Sequence, residues 1–223
     1  MEEHRFDVVN HETPRLESFE KALGSGKYTD DLSVPGMVYA ELVRSPYSHA
    51  KVLSIDTSEA EKVPGYLGCA LPEESPQMYF NCSGNPPSPL LMADEKVLTD
   101  EPLVLGDRVA VVAAETEEAA HAAAEAVRVE YEVIQPMLDV KAALAPNAPA
   151  LQPHIAPDNI IQRREVSQGD IAAGEAASDI IEEDHFVTPA MQHTTIELTS
   201  CICDFSDGEH ITIYSCSQTV FQE

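Results

Sequence analysis

Residues 106–132, GDRVAVVAAETEEAAHAAAEAVRVEYE, decide the fold, because three periodicities follow one another there and each specifies an element. Val109 to Ala113 is a short apolar run with three valines, the composition of a strand covered on both faces. Thr116 supplies an N-cap hydroxyl, and Glu117 and Glu118 behind it place carboxylates at the positive end of the helix dipole. The body that follows, to Ala126, is nearly all alanine. Ala119, Ala120, Ala123, Ala126 and Val127 recur at three- and four-residue steps, so one face can lie close on a sheet. From Val127 the period drops to two: Val127, Val129, Tyr131 and Val133 alternate with Arg128, Glu130 and Glu132, as in a strand with one buried face. The reading is strand, helix, strand, a βαβ-like unit whose crossover is right-handed if the two strands run parallel in one sheet. Gly106 is the only glycine of the stretch and no G-x-G-x-x-G occurs, so the unit is scaffold and not a phosphate loop.

Upstream of this unit the signals are shorter. The first dozen residues are polar and aperiodic, a lead-in. Arg15 to Asp31 ends in the turn Gly24-Ser25-Gly26 and the doubled Asp30-Asp31, and Pro35-Gly36 is a second turn. Met37 to Val43 reads as a strand, Pro46 interrupts the loop after it, and Ala50 to Ile55 is another strand. Asp56-Thr57-Ser58 caps one helical turn at Glu59 to Lys62, which Pro64-Gly65 stops. Leu71 to Pro89 is crowded with Pro72, Pro76, Pro86, Pro87 and Pro89, a long loop of the kind that carries function or contacts. Leu98 to Leu105 returns to the sheet.

Downstream, Gln135 to Asp158 holds Pro136, Pro146, Pro149, Pro153 and Pro157 and reads as an extended linker carrying one short helix, Val140 to Leu144, with a domain boundary inside it. A short helix follows Gly169-Asp170 at Ile171 to Ala177. Strands are expected at Ile180 to Thr188, Ile196 to Phe205 and Ile211 to Ser215, the last two joined by a hairpin turn at Asp207-Gly208.

Composition narrows the function classes. Thirty-nine acids against 13 bases give a formal charge of −26 over 223 residues, which argues against nucleic acid, whose phosphates need Lys and Arg, and against an anionic membrane surface. No apolar run approaches the ~20 residues of a spanning helix, and Met1-Glu2-Glu3-His4 does not begin a signal peptide. Five scattered cysteines form no disulfide framework. The expected location is the cytoplasm.

Two constellations could carry chemistry. Cys201 and Cys203, with His193 and Cys216 nearby, invite a zinc reading, but structural zinc uses C-x₂₋₄-C knuckles on turns. The competing reading is two small apolar side chains on the buried face of a strand. His193 and Glu197 could act as an acid–base pair across a four-residue step; against this stands a histidine satisfied by a neighbouring carboxylate. There is no serine-nucleophile elbow, P-loop or H-E-x-x-H.

Two long stretches, GSGKYTDDLSVPGMVYAELVRSPYSHAKVLSIDTSEAEKVPG at 24–65 and LGDRVAVVAAETEEAAHAAAEAVRVEYE at 105–132, together resemble the large subunits of the molybdenum hydroxylases, the xanthine dehydrogenase and aldehyde oxidase family. The resemblance implies an α+β architecture: a lead-in at 1–14, an α/β hammerhead domain at 15–144, a linker at 145–165, and the β-rich, incomplete beginning of a molybdopterin-binding domain at 166–223. QGDIAAGEAASDIIEEDHFVTPAMQHTTIELTSCICDF at 168–205 resembles that domain's opening, with Leu198 where the family often has proline. SCSQTVFQE at 215–223 is similar to the family's Thr-Gln segment, with Ser217 in place of threonine. This makes Gln218 the match to the glutamine that hydrogen-bonds an oxo ligand of molybdenum.

The family hydroxylates N-heterocycles such as purines, or aldehydes, with oxygen from water, and passes electrons through iron–sulfur centres to FAD on partner domains or subunits. Its glycine-rich pterin motif and its glutamate base are absent from this sequence. The implied protein is therefore a truncated piece or one part of a split subunit, not catalytic alone, binding no molybdenum by itself and needing the remaining molybdopterin-domain chain. The rival reading is a non-catalytic acidic module that keeps the hammerhead to bind subunits. Uncovered strands beyond Ile180 would also favour self-association into a homo-oligomer.

Overall fold

The computed structural model describes residues 8–9, 11–81 and 92–217. Its strands are β1 (Tyr39–Arg44), β2 (Ala50–Asp56), β3 (Tyr66–Ala70), β4 (Arg108–Ala114), β5 (Arg128–Val133), β6 (Cys201–Asp204) and β7 (Thr212–Ser215). Its α-helices are α1 (Ser18–Leu23), α2 (Glu117–Ala126), α3 (Val140–Ala143) and α4 (Ile171–Ala177). The chain forms two compact units. One is made of the described residues of 36–188, and the other joins the described residues of Met1–Pro35 to those of Pro189–Gln218. The α+β class expected from the sequence is found.

In the larger unit β4 is the central strand, paired antiparallel to β1 and to β3, while β2 pairs antiparallel with β5 in a separate two-stranded sheet. The 106–132 stretch is strand, helix and strand as read, but its two strands do not share a sheet and no parallel crossover exists between them. Periodicity identifies an element and its buried face; it does not say which strand will be the partner. Helix α2 therefore carries the chain from one sheet to the other.

The local signals that build α2 work as expected. Thr116 Oγ1 accepts the amide of Ala119 at 3.1 Å, and the buried alanines of the helix are Ala120, Ala123 and Ala124. Ala123 and Ala124 pack with Val43, Ala60, Val109, Ala110, Val112 and Val127 into the unit's core. Gly65 shows why that packing is tight: its φ is +88°, and a Cβ there would lie 3.4 Å from the Ala119 Cβ. The alternating face of β5 is only half covered. Val127 is 9% exposed whereas Val133 is 57% exposed, because the far end of β5 passes beyond the core.

Other expectations shift. Leu98 to Leu105 holds no strand, yet Thr99 N–H donates to Arg108 O at 2.8 Å and Pro102 O accepts Ala50 N–H at 3.0 Å, so the segment still borders the sheets. Ile180 to Thr188 is not a strand: Ile180, Ile181, Phe186 and Val187 are 64–84% exposed, and apolar alternation without a partner strand leaves the ladder unformed. The expected strand at 196–205 contracts to β6. Helix α1, which the sequence did not announce, ends at Gly24 in the left-handed conformation.

In the smaller unit β6 and β7 pair in register from Cys201↔Ser215 to Asp204↔Thr212 around the expected turn. The Asp207 carboxylate accepts the His210 amide at 2.6 Å, the Glu209 amide at 2.9 Å and the His210 ring at 2.9 Å. These bonds, the His210 amide foremost, hold its pKa below the ordinary aspartate value. A depressed folded-state pKa means that the turn's stabilisation is present above the unfolded pKa and is lost as pH falls through the lowered value. An NMR titration of the Asp207 carboxyl should give a midpoint below that of a free aspartate. A midpoint at or above the free value would contradict the turn geometry.

Candidate functional site

The cysteine hairpin is the first place where chemistry was expected. Alternate positions of β6 put Cys201 and Cys203 on one face, but that face is exposed, and Ile202 and Asp204 are the better covered side chains. The expectation that the cysteines fill a buried face is therefore wrong, because the four-residue strand has no layer against that side. Partial burial raises the pKa of the Cys201 thiol, with the neighbouring Cys203 and Cys216 adding to the effect, so it is a poor nucleophile. Among the described residues no three His, Cys, Asp or Glu side chains converge as a metal-ligand set.

His193 and Glu197 fare no better as an acid–base pair. The backbone between them is irregular and Thr194 has a φ of +50°, so the helical four-residue step that would align them is missing. Among the described residues no ion pair joins them. Gln218, the residue matched to the cofactor, lies outside the described residues.

What the smaller unit does organise is the lead into that residue. Ser200, immediately before β6, donates its hydroxyl to Asp30 Oδ1 at 2.5 Å across 170 residues of sequence. The thiol of Cys216, immediately after β7, donates to Leu198 O at 3.4 Å and to Ser200 O at 3.9 Å. Asp30 sits in a short 3-10 turn, Thr29–Asp31, whose Asp31 carboxylate accepts the Tyr28 amide at 3.0 Å. The doubled aspartate, read from sequence as turn chemistry, thus also reaches the hairpin.

The sequence did not announce a cavity of about 590 Å³ in the larger unit, lined among others by Arg44, His49, Tyr79, Lys96, Arg108 and His154. Its polar groups mostly satisfy one another. Arg108 pairs with Glu95 at 2.7 Å, Lys96 with Asp100 at 3.5 Å, and Asp107 accepts the amides of Leu103 and Val104. Tyr79 stacks on His154 with centroids 4.2 Å apart, and Lys96 lies 5.4 Å from the Tyr79 ring. The exception is His49 Nδ1, buried without a hydrogen-bond partner among the described residues.

One wall of this cavity comes from the stretch read as an extended linker. It is pinned: Asn159 Oδ1 accepts the Leu151 amide at 2.9 Å, and its Nδ2 donates to Ala143 O and Pro149 O, both at 3.0 Å. Gln152 Nε2 then donates to Asp94 O at 2.8 Å. The arrangement is structural: it closes a loop onto the hammerhead-like sheets and presents no reactive group.

Comparisons with known proteins bear on all of this. Residues 23–135 match the family model described as aldehyde oxidase and xanthine dehydrogenase, a/b hammerhead domain, and residues 153–223 match the molybdopterin cofactor-binding domain. The chain is 31% identical over 92% of its length to the xanthine dehydrogenase molybdenum-binding subunit of Escherichia coli O157:H7, covering 27% of that protein. It is 28% identical over 96% of its length to the nicotinate dehydrogenase large molybdopterin subunit of Eubacterium barkeri, covering 48% of it. Among solved structures, the aldehyde oxidoreductase of Desulfovibrio gigas superposes with a TM-score of 0.79 at 27% identity, over 91% of this chain and 23% of that one. The chain thus spans about a quarter of the length of several relatives it matches.

Proposed function

The chain belongs to the aldehyde oxidase and xanthine dehydrogenase family, and from that premise we propose that it forms the hammerhead-bearing part of a cytoplasmic molybdenum hydroxylase. The observation that carries this reading is the order of the two matches, hammerhead at 23–135 and cofactor-binding domain at 153–223. In this reading the hammerhead occupies 15–144, a connecting stretch 145–165, and the opening of the cofactor domain 166–223. The complete enzyme oxidises an N-heterocycle such as a purine, or an aldehyde, and passes electrons to iron–sulfur and FAD groups on partner domains or subunits.

Bound molybdopterin supplies an oxygen nucleophile derived from water and a metal that accepts the electron pair. Gln218 is the residue of this chain assigned to it, and the described side chains form no ligand cluster around a metal. The described residues contribute scaffold: α2 and β4 hold the hammerhead core, and the β6–β7 hairpin delivers the chain at Ser215, shortly before Gln218.

The test is to purify the complete protein with its partner subunits and measure molybdenum, then oxidation of xanthine and of an aldehyde in oxygen-labelled water with an artificial electron acceptor. Stoichiometric molybdenum and labelled product are expected, while the 223-residue chain alone retains no stoichiometric metal. A complete protein that folds with its subunits but holds no molybdenum would leave the rival reading, an acidic subunit-binding module.

A further inference from the structure

The hydrogen bond between Asp30 and Ser200 is not explained by the hammerhead, by the hairpin turn or by any ligand site. It joins a turn near one end of the sequence to the residue that opens β6. Both partners lie in the same compact unit. At 2.5 Å between a hydroxyl and a carboxylate it has the short length of a charge-assisted bond. Ser200 uses its other polar group as well: its carbonyl, with that of Leu198, faces the thiol of Cys216. Ser200 therefore stands between Asp30 on one side and Cys216 on the other.

Three constraints meet at this point. The ladder pairs Cys201 with Ser215, the Cys216 thiol is turned toward the 198–200 backbone, and Asp30 holds Ser200 from outside the hairpin. A four-residue, two-stranded ribbon is marginal by itself, so an external anchor at the open end matters more here than in the middle of a sheet. The end anchored is the one from which the chain continues to Gln218. The opposite end is secured separately, by the Asp207 turn.

We propose that Asp30 and Ser200 are positioning residues for the end of the β6–β7 hairpin: they fix the course of the chain at Cys216, two residues ahead in sequence of Gln218, the residue assigned to the molybdenum group. This rests on the functional reading above. Asp30 and Ser200 themselves touch no reacting atom, and act through the backbone that carries Cys216.

The experiment has two arms. In the 223-residue chain, Asp30→Ala and Ser200→Ala should each speed alkylation of Cys216 by iodoacetamide about three- to tenfold, the loss of one exposed charge-assisted bond. Asp30→Asn, which keeps an acceptor oxygen, should restore part of the protection. Cys69, in the other unit, should react at the wild-type rate in every variant, which reports that the larger unit is folded. In the complete protein with its subunits, the same alanine variants should lose molybdenum on gel filtration severalfold faster than wild type. Unchanged Cys216 reactivity would overturn the anchor. Faster Cys216 alkylation together with wild-type metal retention would overturn its positioning role. Absence of molybdenum from the wild-type complete protein is a different result, and it sinks the functional reading instead.

Discussion

Replacing Ala123 by leucine is expected to destabilise the larger unit by about 1–3 kcal/mol, the usual cost of forcing extra methylenes into a filled core. Ala123 is 0% exposed and lies among Val43, Ala60, Val109, Ala110 and Val112, whose side chains leave no room for a branched group. The helix is already seated closely at Ala119, where a Cβ on Gly65 would lie 3.4 Å from the Ala119 Cβ, so moving it outward to admit leucine would give up contacts along the whole face. Ala122, one position earlier and exposed, is the control: Ala122→Leu should change stability by less than about 0.5 kcal/mol. Denaturant titration of both variants decides the matter. Equal midpoints for the two would mean that the buried face of α2 is misassigned.

The second large effect is expected at Asn159. Its side chain makes three hydrogen bonds to backbone, spanning Ala143 to Leu151, and each is worth about 0.5–1.5 kcal/mol net. Asn159 also has a φ of +58°, a conformation that asparagine tolerates and alanine does not. Asn159→Ala should therefore open residues 145–158 while leaving the sheets intact. Amide exchange at Leu151 is expected to accelerate about 10–100-fold, with exchange in β4 unchanged. Asn159→Asp keeps the acceptor for Leu151 but loses both donors, so protection at that amide should persist in part. If Leu151 exchanges equally fast in wild type and Asn159→Ala, the loop is held by the packing of Ala156, which is 5% exposed, and not by Asn159. Where Asn159→Ala does open the loop, the cavity wall formed by Leu151 and His154 opens with it.

These two sites mark the limits of what the sequence discloses. Around Ala123 nearly everything is local: a cap hydroxyl, a run of small residues and a change of period are legible because each acts within a turn or a pleat. The caps at Asp139 and Asp170, which accept the amides of Ala142 and Ala173, and the Asp207-Gly208 turn are legible for the same reason. Asn159 is not, because Asp158-Asn159 reads as a turn wherever it occurs, and its partners are set by how the proline-rich stretch folds back. Pairing partners fail similarly. Val109 to Ala113 announces a buried strand, but nothing in it says that β1 and β3 will flank it and β5 will not. The cavity residues come from widely separated segments, and Ser200 finds Asp30 across 170 residues. The assignment of Gln218 rests on family resemblance alone, since a lone glutamine in a polar segment carries no physical signature of its own.

The strand order also has a temporal consequence. Tyr39 pairs with Ala114, and Ala50 with Val133, so neither sheet of the larger unit can close until β4 and β5 have been synthesised. A ribosome adding about 5–20 residues per second leaves β1, β2 and β3 without β4 or β5 for several seconds. During that interval Leu42, Val43, Val52 and Ile55 are bare apolar strand residues. Slowing translation between 71 and 105 would lengthen that exposure rather than help the chain fold.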